Sequence, residues 1–351
     1  MISVLIADDS FLMRTLIGDI LRSDPEIRIV GSVSDGQECI DAAKNLKPDV
    51  ITMDLNMPKV DGLLATRRIM EKSDPQPIVV MVSAFSKDTA HAMLDCLHAG
   101  AFDCVRKPSG MVSLDMPKIG AELLSKVKAA ARARTDVLKR TGSQPPRKRT
   151  AEQATYVSHS GRRYLIVIGA STGGPPVLEE IFSLLPDNLN ASILVAQHMP
   201  EPFTASLAER LDRVSHLTVR EAIHHEVLET NTALIVPGDS NMELIKKDGK
   251  LVTCLIPEPM ASGLRPSIDI LMESAARQSS DPLIGVLLTG MGNDGDAGMC
   301  EIKKHGGHTL VQAPDTCVVD SMVQGVIDRN CADEQLSPAA IVERIVFLTQ
   351  T

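Results

Sequence analysis

The sequence predicts an α/β protein of two domains, each built around a doubly wound, mainly parallel sheet. Short β-branched runs alternate with segments whose apolar residues recur at helical spacing, which is the pattern of strands crossing over through helices. At 351 residues the chain exceeds one average domain. A polar stretch without apolar periodicity, residues 135–163, interrupts the alternation near its middle.

In the first half, "SVLIA", "IRIVGSV", "DVITMDL", "PIVVMVSA" and "DCVRK" predict five strands. Between them "SFLMRTLIGDILRS", "DGQECIDAAKNL", "DGLLATRRIMEK" and "KDTAHAMLDCLHAG" predict helices, and "GAELLSKVKAAARAR" closes the set. These elements define a first domain over 1–134. The stretch 135–163 carries a Pro pair and the basic run "RKR" at 147–149 and reads as a solvated linker. The second domain, 164–351, has strands at "YLIVIGA", "ASILVAQ", "LTVREA", "TALIVPG", "LVTCLI", "PLIGVLLTG" and "HTLVQA". Its helices are predicted at "PPVLEEIFSLL", "PFTASLAERLDR", "RPSIDILMESAARQ", "DAGMCEIKKHG" and "SPAAIVERIVFL".

Composition excludes several classes. There is no Trp, and only two Tyr and six Phe, so the cores are aliphatic and no stacking platform for single-stranded nucleic acid is built in. A net charge of −9 without a basic face argues against binding along a phosphate backbone. The seven cysteines are widely spaced with no C-x-x-C, which predicts reduced thiols rather than a disulfide framework or a zinc site. "MISVLIADDS" has no basic leader, and no apolar run approaches the roughly 20 residues that span a bilayer. A cytoplasmic protein without direct membrane insertion is expected.

In a doubly wound sheet, ligands gather at the carboxyl ends of the strands. Those ends in the first domain carry Asp8 and Asp9, Asp54, Ser83 and Lys107. Three carboxylates at one edge repel one another unless a hard cation such as Mg²⁺ joins them. Beside such an ion Asp54 is a plausible phosphoryl acceptor, with Ser83 and Lys107 reaching the phosphoryl oxygens.

"ADDS", "MDLNMPKVDG", "VSA" and "KPSG" resemble the receiver domain of two-component response regulators, a flavodoxin-like five-stranded parallel fold, over about residues 1–125. The resemblance implies phosphorylation of Asp54 by a partner histidine kinase and Mg²⁺ at Asp8, Asp9, Asp54 and the backbone carbonyl of Asn56. It also implies that Ser83 and Lys107 form the switch pair. Cys104 departs from the Phe or Tyr common three residues before that lysine.

In the second domain "LIVIGASTGGPP" runs a strand into a glycine-rich turn around Ser171. A phosphate cradle would want a following Lys or a ribose-binding acid about 20 residues on, and the chain offers neither there. G-A-S-T-G also fits the nucleophile elbow, though the turn by itself leaves a purely structural role open. A nucleophilic serine needs a base and an orienting acid. His198 stands just past "ILVAQ", and Asp294 in a second glycine-rich turn, "LLTGMGNDGDAGM". Of the other eight histidines, His91, His98, His159, His216, His305 and His308 lie in helices, the linker or polar segments, and the adjacent His224 and His225 would face opposite ways in a strand; all eight read as non-catalytic.

"IGASTGGP", "AQHMP", "VPGD", "RPSID" and "LTGMGNDGDAGM" resemble the catalytic domain of CheB-type chemotaxis protein-glutamate methylesterases over about 164–347. The resemblance implies hydrolysis of γ-glutamyl methyl esters on methyl-accepting chemotaxis receptors, with release of methanol, and an ability of the family to deamidate receptor glutamines. It implies Ser171 as nucleophile, His198 as base and then acid, Asp294 as the imidazole's orienter, and the Met291 backbone N–H in the oxyanion hole. No cofactor is implied in that site. The unphosphorylated receiver is expected to cover the cleft. Three segments depart from the family pattern: Asp320–Val323 for Tyr-Gly-Met-Pro, Ser240 and Asn241 for Arg-His, and the lead before Arg265. Two other readings compete, a non-catalytic phospho-switched adaptor with a degenerate cleft and a nucleotide-binding oxidoreductase that would retain a dinucleotide.

Overall fold

The computed structural model describes residues 1–72, 75–107, 116–133, 163–257 and 265–350. The chain divides into two compact units, Met1–Pro145 and Pro146–Thr351. Apart from residue 163, the expected linker lies outside the described residues.

The first unit holds β1 (Ile2–Ala7), α1 (Phe11–Arg22), β2 (Ile27–Val33), α2 (Gly36–Leu46), β3 (Val50–Met53), α3 (Gly62–Lys72), β4 (Ile78–Ser83), α4 (Lys87–His98), β5 (Asp103–Arg106) and α5 (Met116–Ala130). All five strands are parallel in the order β2-β1-β3-β4-β5. The central strands β3 and β4 are buried throughout, which accounts for their unbroken apolar runs. Helix starts follow local chemistry: Ser10 and Asp35 accept the backbone N–H of Met13 and Glu38. Helix α5 begins four residues before the expected "GAELL" and ends at Ala130, not at residue 134. Pro117 is tolerated in its first turn, and Ile119, Leu123, Val127 and Ala130 form its buried stripe.

The second unit holds β6 (Tyr164–Ala170), α6 (Gly174–Leu184), β7 (Ala191–Gln197), α7 (Phe203–Val214), β8 (Thr218–Glu221), β9 (Thr232–Ile235), β10 (Asn241–Lys247), β11 (Lys250–Ile256), α8 (Ile268–Gln278), β12 (Leu283–Leu287), α9 (Asp296–Lys304), β13 (His308–Gln312), a 3₁₀ turn (Pro314–Thr316), α10 (Ser321–Asp328), β14 (Glu334–Leu336) and α11 (Pro338–Gln350). Seven parallel strands run β14-β13-β12-β6-β7-β9-β8. The chain moves outward from β6 through β7 and returns to the other side of β6 with β12. The switch point therefore lies between β6 and β12.

Sequence pattern missed β10, α10 and β14. Strand β10 pairs antiparallel with β11 through Asp248 and Gly249, both at positive φ. That Asp-Gly pair was a legible hairpin signal. Strand β14 is three residues at a sheet edge, too short to show a period. Helix α8 starts at Ile268 rather than at Arg265 because Ser267 caps it, accepting the Ile270 N–H.

The expectation of seven reduced thiols is corrected. Cys300 in α9 and Cys331 after α10 form a disulfide with Cα atoms 4.9 Å apart. The partners are 31 residues apart, and only the packing of α10 against α9 makes them neighbours. Cys39, Cys96, Cys104, Cys254 and Cys317 are free.

Candidate active site

The turn after β6 is held by backbone. The Ser171 N–H donates to the Thr289 carbonyl at 3.1 Å, and the Gly174 N–H to the Ser171 carbonyl at 2.8 Å. Gly173 sits at φ 78°, where a side chain would be strained and would also press on Val318. Gln197, at the end of β7, donates from Nε2 to the carbonyls of Ser171 at 2.9 Å and His198 at 3.2 Å. One buried amide thus ties the Ser171 turn to His198.

Ser171, His198 and Asp294 follow the carboxyl ends of β6, β7 and β12, on either side of the switch point. His198 Nδ1 is 3.1 Å from Ser171 Oγ, and His198 Nε2 is 2.7 Å from Asp294 Oδ2. The contacts set the tautomer: Nε2–H donates to the carboxylate, which leaves the Nδ1 lone pair facing the hydroxyl. All three residues are largely covered, Ser171 being 8% and Asp294 7% exposed.

Asp294 accepts three further bonds, from Ile268 N–H at 2.7 Å, Asp269 N–H at 3.0 Å and Ser267 Oγ at 3.0 Å. Burial acts to raise its pKa, but the His198 contact and these amides outweigh it and hold the carboxyl below its usual range. The network supports a charged acid beside an imidazole, as acyl transfer from a serine requires.

Met291 lies between two braced glycines. The Gly290 N–H donates to Val319 O at 2.9 Å, and the Gly292 N–H to Ser321 Oγ at 3.2 Å. Ser321 Oγ also donates to Gly290 O at 3.2 Å. A Cβ on Gly290 would collide with Ser171 Cβ, so this turn passes directly against Ser171. Two departures noted in the sequence therefore border the site. Ser321, from Asp320–Val323, braces the 290–292 turn. Asn241 is fully buried and accepts the Ser267 N–H at 2.8 Å, while Ser240 bonds its neighbour Asp239.

The first unit gathers its predicted set as well. Asp8, Asp9 and Asp54 each present a carboxylate oxygen within 4.8 Å of the others. Lys107 Nζ lies 2.7 Å from Asp8 Oδ2 and 2.8 Å from Asp54 Oδ2. Burial raises the Asp54 carboxyl, with Lys107 and the Asn56 N–H acting against it. The Ser83 hydroxyl is buried and has no hydrogen-bond partner among the described residues. Cys104 is buried on β5, and its carbonyl accepts Lys126 Nζ at 2.7 Å. Part of "KPSG" lies outside the described residues.

Sequence reasoning did not single out Gln197, Ser267, Asp269 or Thr289. All four lie inside the quoted motifs "AQHMP", "RPSID" and "LTGMGNDGDAGM", but their partners Ser171, Asp294, Gly295 and Thr172 are 26 or more residues away along the chain.

Two family models match the chain: "CheB methylesterase" over residues 166–345 and "Response regulator receiver domain" over 4–116. A protein-glutamate methylesterase/protein-glutamine glutaminase of Methanococcus maripaludis is 39% identical over 358 residues, 98% of this chain and 97% of its own length. One from Carboxydothermus hydrogenoformans is 42% identical over 353 residues, covering 99% of each. The crystal structure of the Thermotoga maritima CheB methylesterase catalytic domain superimposes with a TM-score of 0.51 at 40% identity, covering 54% of this chain and 99% of that one.

Proposed function

The chain belongs to the CheB methylesterase family and carries a receiver domain ahead of the catalytic one, and on that premise we propose how its residues perform the family's chemistry. It is a phosphorylation-regulated protein-glutamate methylesterase and glutaminase of chemotaxis signalling. Ser171 Oγ attacks the γ-carbonyl of a methylated glutamate while His198 Nδ1 takes its proton. The imidazolium is stabilised by Asp294, 2.7 Å away on the other nitrogen. The negative charge on the carbonyl oxygen is assigned to the Met291 backbone N–H, a kind of donor worth on the order of 3 kcal/mol in the transition state. His198 returns the proton to the departing methoxide, and methanol leaves. Water, deprotonated by His198, attacks the acyl-serine; carboxylate and Ser171 are restored. With a glutamine the same steps release ammonia. The observation carrying this reading is the continuous run of contacts Ser171–His198–Asp294. A cleft that only bound a partner would have no need of it.

In the receiver, Asp54 accepts the phosphoryl group from a chemotaxis-type histidine kinase. The oxygen-only donor set of Asp8, Asp9 and Asp54, with the Asn56 carbonyl, fits a hard divalent cation, and the Ser83 hydroxyl, without a partner among the described residues, fits a further oxygen-rich guest. Mg²⁺ bound there would neutralise charge on the transferring group. Lys107 holds Asp8 and Asp54 at hydrogen-bond distance and is placed to contact a phosphoryl oxygen. The substrates proposed are the cytoplasmic parts of methyl-accepting chemotaxis receptors. A methanol-release assay on methylated receptor, with and without a small-molecule phosphodonor, tests the reading. Release that depends on Ser171 and rises with the phosphodonor supports it; release unchanged in Ser171→Ala overturns it.

A further inference from the structure

We propose that Asp269 is a positioning residue for the triad acid, because helices α8 and α9 exchange caps through the two carboxylates Asp294 and Asp269. The proposal rests on the triad reading above. Asp294 stands at the amino end of α8, where Ser267 Oγ, Ile268 N–H and Asp269 N–H all donate to it. Asp269, the second residue of α8, returns the arrangement. Its Oδ1 accepts the Gly295 N–H at 2.9 Å and the Gly298 N–H at 2.7 Å, at the amino end of α9.

Gly295 caps α9 at φ 108° and has no side chain with which to satisfy those amides. Asp269 supplies from another helix what a Ser or Asp cap would supply locally. Each carboxylate also lies in the positive field of the other's helix. Gly298 has no room for a Cβ, which would press on Met272 and touch Asp269, so the helices approach closely at this point. Asp294 and Gly295 are adjacent, and holding the Gly295 amide therefore holds the residue whose Oδ2 meets His198.

Two carboxylates so close cannot both be comfortably charged. Burial first, and then the charge of Asp294, push Asp269 up to about 6, against the pull of the two amides. Asp294 keeps the charge that His198 needs. The other titratable groups bearing on the pair are His198 itself and Asp296, which lies beside Arg329 and Asp328.

Three variants in the full chain separate geometry from charge, with methanol release from methylated receptor and fluorophosphonate labelling of Ser171 as readouts. Asp269→Asn keeps an oxygen in the Oδ1 position and removes the charge; it is expected within about threefold of the wild type. Asp269→Glu keeps the charge and moves the oxygen by one methylene. It is expected to lose about 10- to 100-fold in kcat and in labelling rate, with KM little changed. Asp269→Ala, which removes the acceptor, is expected to fall at least as far. Near-wild-type activity in Ala or Glu, or an Asn variant as impaired as Glu, overturns the proposal, and the Asn–Glu contrast decides even where Ala does not fold. Ser171→Ala runs beside them. Residual release in that control would instead count against the triad reading.

Discussion

The two sites sit at equivalent places on their sheets, at carboxyl strand ends beside a reversal in strand order, and they handle charge in opposite ways. At the end of β1 and β3 three carboxylates crowd within 4.8 Å, and Lys107 is the cation paired to Asp8 and Asp54. At the ends of β6, β7 and β12 one carboxylate, Asp294, meets four donors. The first is a concentration of like charge suited to an ion and a phosphoryl group. The second closes on its own hydrogen bonds and leaves the Ser171 hydroxyl facing the His198 imidazole. Similar topology therefore hosts either chemistry, and the side chains at the strand ends choose between them.

If the sites are chemically separate, each can be removed alone. Ser171→Ala abolishes methanol release while Asp54 still takes phosphate from a small-molecule donor; Asp54→Asn does the reverse, losing phosphorylation with Ser171 still labelled by a fluorophosphonate. Phosphorylation lost in Ser171→Ala would break the comparison. Chelation by EDTA is expected to bring Asp54 phosphorylation to background, and to leave fluorophosphonate labelling at its rate in untreated protein. A smaller but still large loss follows in Asp294→Asn, about 10⁴-fold in kcat, because the amide no longer selects the tautomer that bares Nδ1. Gln197→Ala leaves the carbonyls of Ser171 and His198 without their donor and is expected to cost roughly tenfold in kcat/KM, by the ~1–3 kcal/mol scale of an unsatisfied buried group.

The smallest effect is on stability against pH, and the two aspartates oppose each other in it. An unfolded carboxyl titrates near ~4. Asp294, held lower when folded, adds stability above that pH which is lost as pH falls through its folded pKa. Asp269, raised to about 6, keeps a proton in the fold that the unfolded chain has released. It therefore lowers stability as pH rises from about 4 to about 6. Thermal melts of Asp269→Asn across that window are expected to slope downward less than those of the wild type. An unchanged slope would show that the charge on Asp269 is compensated elsewhere.

Both site sets were legible because strand-end residues are close in space whenever the sheet is parallel, so Asp8, Asp54 and Lys107, or Ser171 and His198, could be grouped without coordinates. The cysteines were not legible in this way. Cys300 and Cys331 lie outside any strand-end pattern, and the packing of α10 on α9 that joins them left no periodic trace in the sequence. Ser321 and Asn241 stood out as departures from a family pattern, but their roles as a brace of the 290–292 turn and a support of Ser267 needed the fold.

By itself the sequence determined the α/β class and the parallel sheets, and it grouped the candidate site residues at strand ends, since these follow from local periodicity and from residue types at those ends. Only the tertiary structure decided which ring nitrogen of His198 faces Ser171, that β12 returns beside β6 to deliver Asp294, and that α8 and α9 cap each other. Those are long-range facts. They depend on how helices and turns 26 or more residues apart meet, and hydrogen-bond direction at such meetings is set by packing rather than by neighbouring residues in the chain.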